Sequence, residues 1–259
     1  EAGWIDNYNQ LGVQTGEDIN SGGGQGARAA ILIQPTSALK ITPSVMYHRL
    51  AYDSEQNFVV GVPGLPERAK NEFLPTESEE EFILAGVTVG YNFGAVELVS
   101  QTSFYDYRNE SQEDTTLQFT AALPGLNFLP IPVNSVTNEQ AWVHESRLVS
   151  NFEGPFQFIA GVYYEDTARP FTSQSLIENF NATLGFALLP VTPLGDNYYV
   201  VRSTRDQTQF AAFGEATYTF FEDLDVTGGL RYFKFESDTT DAFPGYAFTG
   251  VPALQPGHA

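Results

Sequence analysis

The sequence predicts an all-β fold, specifically an antiparallel segment of a transmembrane β-barrel with about eight long strands. Three observations lead there: an aromatic-rich composition, apolar and polar residues alternating with period two, and short turns alternating with long loops. Phe, Tyr and Trp make up 14% of the 259 residues, which favours strands over helices. A hydrophobic content of 42% is too high for a chain that is disordered throughout.

Four hairpins carry this prediction in chain order. Their strand pairs are residues 27–34 and 39–50, 81–92 and 96–107, 140–152 and 156–166, and 207–220 and 224–236. Three or four residues, with Gly, Pro, Asp or Ser among them, join the two strands of each pair. Most of these strands run 11 to 14 residues, whereas strands of soluble proteins typically have about 5–6. A tilted membrane strand needs about 9–11 residues, so the lengths favour a membrane barrel.

Long stretches separate the hairpins, at residues 51–80, 108–139 and 167–206, and they hold most of the prolines. Structureless loops of this length are uncommon in compact soluble domains. Short turns at one end of the strands and long loops at the other are typical of outer-membrane barrels. We therefore expect periplasmic turns and extracellular loops.

The alternation assigns a face to each side chain. In the strand 207–220, Phe210 and Tyr218 share one face while Gln209 and Thr217 share the other. Aromatic pairs gather at strand ends, where the interfacial belts of a barrel lie. These pairs are Tyr91 and Phe93, Tyr105 and Tyr107, Tyr218 and Phe220, and Tyr232 and Phe233.

Charge and composition exclude several classes of function. The net charge of −20 argues against a nucleic-acid partner, because a phosphate backbone would be repelled. The sequence has no cysteine, hence no disulfide and no thiolate metal site, and no apolar run reaches the roughly 18 residues of a membrane helix. We find no catalytic motif, so we expect no enzyme activity, no cofactor and no metal centre. The three histidines, His48, His144 and His258, show no ligand spacing.

Candidate functional residues are charges on the polar face and aromatic residues in the long loops. The charges are Glu145, Arg147, Glu215 and Arg231, which we place in the lumen, where they contact either a plug or a ligand. The loop candidates for ligand contact are Phe171, Phe180, Tyr198 and Tyr199. The glycine-rich run at residues 22–26 is expected to be a flexible loop, and the acidic run at residues 77–81 a solvated loop rather than a cation site.

Several strings resemble the TonB-dependent outer-membrane receptors. They are GWIDN at residues 3–7, HESRLVS at 144–150, and FAAFGEATY and LDVTGGLRY at 210–218 and 224–232, and they follow the family's order. The resemblance implies an outer-membrane barrel of about 22 strands filled by a plug. It also implies uptake of a ferric siderophore or similar ligand, energised by TonB-ExbB-ExbD, with lipopolysaccharide around the barrel.

The chain lacks a recognisable plug and a terminal aromatic strand, so we expect residues 1–259 to be a partial barrel domain from a larger receptor. Two other interpretations stay open. One is a complete eight-stranded outer-membrane barrel with a structural or adhesive role, since eight strands can close around packed side chains. The other is a soluble, secreted, glycan-binding β-sandwich, which would also show the alternation.

Overall fold

The computed structural model describes residues 2–59, 64–122, 130–177, 197–221 and 223–246. Its main element is one antiparallel sheet of eight strands, which confirms the predicted fold class. In chain order the elements are β1 (Asp6–Tyr8), β2 (Gln14–Gly16), β3 (Gly22–Ala30), β4 (Leu39–Tyr52), β5 (Ala69–Lys70), β6 (Ser78–Asn92), β7 (Val96–Asp114), α1 (Thr116–Ala122), β8 (Pro132–Ser150), β9 (Phe156–Leu176), β10 (Asn197–Phe220) and β11 (Leu224–Tyr246).

The eight-stranded sheet has the order β3-β4-β6-β7-β8-β9-β10-β11, so consecutive long strands are neighbours. Within the described residues β3 and β11 are the two edges of the sheet and do not pair with each other. A complete eight-stranded barrel would require these two strands to pair. The sheet is also a single layer: Leu230 and Tyr232 are 87% and 69% exposed. A sandwich would bury these side chains against a second sheet, so the sandwich interpretation is wrong.

Short turns lie at one end of the strands. Residues 93–95, 151–155 and 221–223 connect β6 to β7, β8 to β9 and β10 to β11. Gly94 has a φ of 97°, a conformation that glycine adopts without steric cost, and its N–H donates to Asn92 Oδ1 at 2.6 Å. These three connections confirm three of the predicted hairpins. The antiparallel pairing of β3 with β4 confirms the first, although β3 ends at Ala30 and not at residue 34 as predicted.

The strands extend further toward the long loops than the sequence predicts. β7 continues to Asp114, β9 continues to Leu176 and β10 begins at Asn197, so the predicted loops 108–139 and 167–206 are partly strand. These extensions carry polar residues on both faces, which hides the alternation although the backbone pairing continues. The long connection from β7 to β8 contains α1, and no helix in the described ranges is long and apolar enough to cross a membrane.

The glycine-rich run at residues 22–26 forms the first half of β3, so the predicted flexible loop is wrong. Side chains of β4 lie across these glycines. A Cβ at Gly22 would meet Tyr52 Cδ1 at 2.4 Å, and a Cβ at Gly24 would meet Leu50 Cδ2 at 2.6 Å. A side chain at Gly22 or Gly24 would therefore displace the β4 side chain that lies over the backbone, whereas a Cβ at Gly23 would meet no atom within 4 Å.

The two faces of the sheet differ as predicted. We call the apolar one the outer face; it carries Val87, Leu148, Val162 and Leu230. Aromatic residues flank its apolar band on both sides, one set near the short turns and the other toward the long loops. They are Tyr91, Phe93, Phe156, Phe158, Tyr218 and Phe220 near the turns, and Phe104, Trp142, Tyr164, Phe210 and Tyr232 at the opposite side.

The opposite face, here called the inner face, is mixed polar and aromatic. Three residues placed in the interfacial belts from the sequence, Tyr105, Tyr107 and Phe233, belong to it instead. Tyr105 stacks on Tyr107 with ring centroids 6.0 Å apart and lies 6.0 Å from Phe82. The period-two pattern places them correctly, whereas proximity to a strand end alone does not.

Candidate functional site

One row of paired residues crosses the inner face near the centre of β8, β9, β10 and β11. In this row Arg147 lies opposite Gly161, Gly161 opposite Phe213, and Phe213 opposite Arg231. The Phe213 ring covers Gly161, because a Cβ there would lie 2.5 Å from Phe213 Cζ. The absence of a side chain at Gly161 thus leaves room for the Phe213 ring, in a row that begins with Arg147 and ends with Arg231.

Arg231 reaches across β10 from the edge strand. Its guanidinium carbon lies 5.6 Å from the Tyr163 ring centroid and 5.9 Å from that of Phe213. A cation above two aromatic rings is attracted by their negative faces. Arg231 is therefore held on the inner face.

The other predicted charges lie on the same face. Glu145 lies opposite Tyr163, and its carboxylate is 3.6 Å from Arg147 Nη1. Glu215 lies one row nearer the short turns, opposite Ile159 and Gly229, and forms no ion pair with any other described residue. The structure thus brings Glu145, Arg147 and Arg231 around Tyr163 and leaves Glu215 apart.

The predicted loop aromatics are not in loops where they are described. Phe171 belongs to β9, with Thr137 and Ser203 as its paired neighbours. Tyr198 and Tyr199 lie in the first residues of β10. Phe180 is outside the described residues. The prediction that Phe171 lies in a loop was wrong, because β9 was expected to end near residue 166 and continues to Leu176.

Sequence reasoning missed a charged row at the long-loop side of the inner face. Arg169 lies directly opposite Arg205, and Glu139 forms an ion pair with Arg169, with its Oε2 3.0 Å from Arg169 Nε. Tyr107 belongs to the same row, opposite Glu139. The sequence signal for this row is weak, because polar residues occur on both faces of β9 past its predicted end.

A second missed feature is the buried Lys70, which is only 2% exposed. Its Nζ donates to Glu72 Oε1 at 2.7 Å, Ser54 Oγ at 2.9 Å and Thr76 Oγ1 at 3.3 Å. Lys70 is in β5, which pairs in parallel with β1 in a small three-stranded sheet at the long-loop end. The cluster joins parts of the first long connection to one another, and the pairing of β5 with β1 ties this connection to the N-terminal segment. A cavity of about 560 Å³ lies beside the cluster.

The acidic run does not converge on one point, because Ser78 already begins β6. Glu79 faces outward, where Arg49 donates to it from Nε and Nη2 at 2.6 and 2.7 Å. Glu80 faces inward and accepts from the Tyr107 hydroxyl at 3.2 Å. The hydrogen bonds and charge of Arg49 lower the pKa of Glu79, which lies beyond the apolar band.

The histidines lie on different faces. His144 is on the outer face, with Nδ1 2.8 Å from Thr102 Oγ1 and Nε2 3.0 Å from Ser146 Oγ. His48 is on the inner face, 5.3 Å from the Phe82 ring. His258 is outside the described residues. Within the described ranges, no group of three or more His, Asp or Glu side chains is arranged to hold a metal ion.

Comparison with known proteins identifies the family to which this sheet is similar. A family model described as TonB dependent receptor-like, beta-barrel, matches residues 37–253. The crystal structure of the ferric yersiniabactin uptake receptor FyuA from Yersinia pestis is similar, with a TM-score of 0.70 at 11% sequence identity over 96% of this chain. The similar region is 34% of that receptor, so this chain spans about a third of its length. No curated protein matches the sequence.

Proposed function

Because this outer-membrane chain belongs to the TonB-dependent receptor β-barrel family, we propose that it forms part of the wall of a receptor that imports a scarce ligand, such as a ferric siderophore. In this proposal residues 1–259 are one partial barrel domain, and the remaining strands and the plug belong to the same receptor. TonB-ExbB-ExbD supplies the energy through the plug, and lipopolysaccharide surrounds the outer ends of the strands.

The two-faced sheet is the observation that carries the proposal. Its outer face presents an apolar band bounded by aromatic rings, the surface that a lipid bilayer requires. Its inner face presents Glu145, Arg147 and Arg231, charges that suit contact with a plug. Above them the inner face continues as hydrogen-bonded strand beyond the apolar band, where a ligand arriving from outside the cell first meets the wall.

The test is iron-limited growth and uptake of radiolabelled ferric chelates in the source bacterium, compared with a strain in which the gene is deleted. We expect the deletion to abolish uptake of at least one chelate and expression of the full-length gene to restore it. A strain lacking TonB should show the same loss. Unchanged uptake of every chelate after deletion would contradict a role in iron transport, and uptake that persists without TonB would contradict the energy source.

A further inference from the structure

Two arginines lie directly opposite each other on the inner face, at the long-loop side of the apolar band. Arg169 in β9 is the paired neighbour of Arg205 in β10. Together with Thr137, Phe171 and Ser203 they line a cavity of about 280 Å³. Two like charges placed directly opposite on neighbouring strands destabilise a sheet unless something negative lies between them.

The protein supplies only part of the negative charge that this pair needs. Glu139 forms an ion pair with Arg169, with its Oε2 3.0 Å from Arg169 Nε. Arg205 forms no ion pair with any other described residue, although 32 acidic residues outnumber 12 basic ones in the sequence. Asp241 of β11 lies opposite Ser203, one row away from Arg205 on the same face, and forms no ion pair with Arg205. One positive charge is therefore left over at this cavity.

The groups around Arg205 define the chemistry that fits. A guanidinium presents a planar fork of N–H donors that matches a carboxylate with two parallel hydrogen bonds. The hydroxyls of Thr137 and Ser203 add further hydrogen-bonding groups on the same wall. The Phe171 ring lies in the next row and offers an apolar surface beside the charge.

We propose that Arg205, supported by Arg169 and Phe171, binds a carboxylate-bearing anionic ligand on its way into the receptor. The inference rests on the proposed uptake function and names the charge of the ligand. The net charge of −20 would by itself attract a cationic ligand, so binding of an anion depends on the charges close to the cavity. The selectivity is local, since the ion pair with Glu139 neutralises Arg169 while Arg205 keeps its charge for the ligand.

The chain offers a matched control on the same strand. Arg202 is three residues from Arg205 and lies on the outer face, opposite Thr172. Arg202→Gln removes the same charge from β10 without touching the cavity. Heat-modifiable mobility of each full-length variant on gels checks that the barrel has folded before binding is measured.

The experiment is calorimetric titration of the purified full-length receptor with ferric citrate, a carboxylate anion, and with ferrichrome, an uncharged iron chelate. We expect ferric citrate to bind more tightly, Arg205→Gln to weaken it about tenfold or more, and Arg205→Lys to weaken it less because the charge remains without the fork. Arg202→Gln should change the affinity less than about twofold.

Equal effects of Arg205→Gln and Arg202→Gln would overturn the assignment of Arg205. Tighter binding of ferrichrome that is insensitive to Arg205→Gln would overturn the anionic ligand while leaving iron uptake standing. Failure to bind either chelate would overturn the anionic ligand, and the growth and uptake test of the gene deletion decides separately whether the uptake function also fails.

Discussion

The guanidinium of Arg231 lies 5.6 Å from the centre of the Tyr163 ring, although the two residues belong to strands separated by β10. This contact spans three strands and joins the edge strand to the interior of the sheet. Arg231→Gln keeps a polar side chain but removes the cation, and we expect a loss of about 0.5–1 kcal/mol in the free energy of unfolding. Urea unfolding of the full-length receptor measures it, and Arg231→Lys should lose less. Identical losses for both variants would contradict a role for the charge.

Gly161 is expected to tolerate no side chain. A Cβ there would lie 2.5 Å from Phe213 Cζ and 2.8 Å from the Ser146 backbone oxygen, which cannot move aside. Gly161→Ala should therefore destabilise the receptor by about 1–3 kcal/mol through overpacking. Gly228→Ala is the matched control, because nothing lies within 4 Å of a Cβ at that position. Equal unfolding midpoints for the two variants would show that the packing of Phe213 on Gly161 is not needed.

The buried Lys70 should hold the first long connection in place. Lys70→Met leaves the Glu72 carboxylate, only 17% exposed, without its partner and should cost about 3 kcal/mol locally. Limited proteolysis of the full-length receptor should then cut within residues 51–77 faster than in the wild type. Lys234→Met, which breaks an exposed pair with Glu236, should leave the cleavage pattern unchanged. Equal protection of all three proteins would refute the anchoring role.

The outer face should reject charge at mid-strand. Val87→Arg places a guanidinium in the apolar band and should cost about 2–4 kcal/mol, reducing the amount of folded receptor in the membrane. Thr88→Arg, one residue along and on the inner face, should assemble normally. Heat-modifiable mobility of membrane fractions distinguishes them. If Thr88→Arg failed and Val87→Arg assembled, the assignment of the two faces would be reversed.

The pair of Arg49 and Glu79 predicts a pH dependence. Because Arg49 lowers the pKa of Glu79 in the folded protein, the stabilisation is present above the unfolded pKa of about 4.3 and disappears as the pH falls through the lower, folded pKa. The stability difference between the wild type and Glu79→Gln should thus stay constant from pH 7 to about 5 and shrink in more acidic buffer. Since the two side chains are 40% and 43% exposed, solvent screens the pair and the difference in stability is small. A difference that grows on acidification would contradict this sign.

The strand faces could be predicted from sequence because period-two alternation is a local signal. Phe210 and Tyr218 lie on one face and Gln209 and Thr217 on the other, as expected. The extension of β9 to Leu176 could not be predicted as readily, because polar residues occur on both faces beyond the membrane. The pairing of β1 with β5 joins residues more than 60 positions apart, and no local pattern records such a contact. For the same reason no local pattern singles out Lys70.

The extension of β9 and β10 past the apolar band also bears on how such receptors diversify. Arg169 and Arg205 are fixed by a continuous ladder of backbone hydrogen bonds rather than by the loop tips above them. Insertions or deletions at those tips can alter the entrance to the cavity while the two guanidinium groups keep their spacing. A receptor built in this way can therefore change the length of its loop tips without changing the strand positions of Arg169 and Arg205.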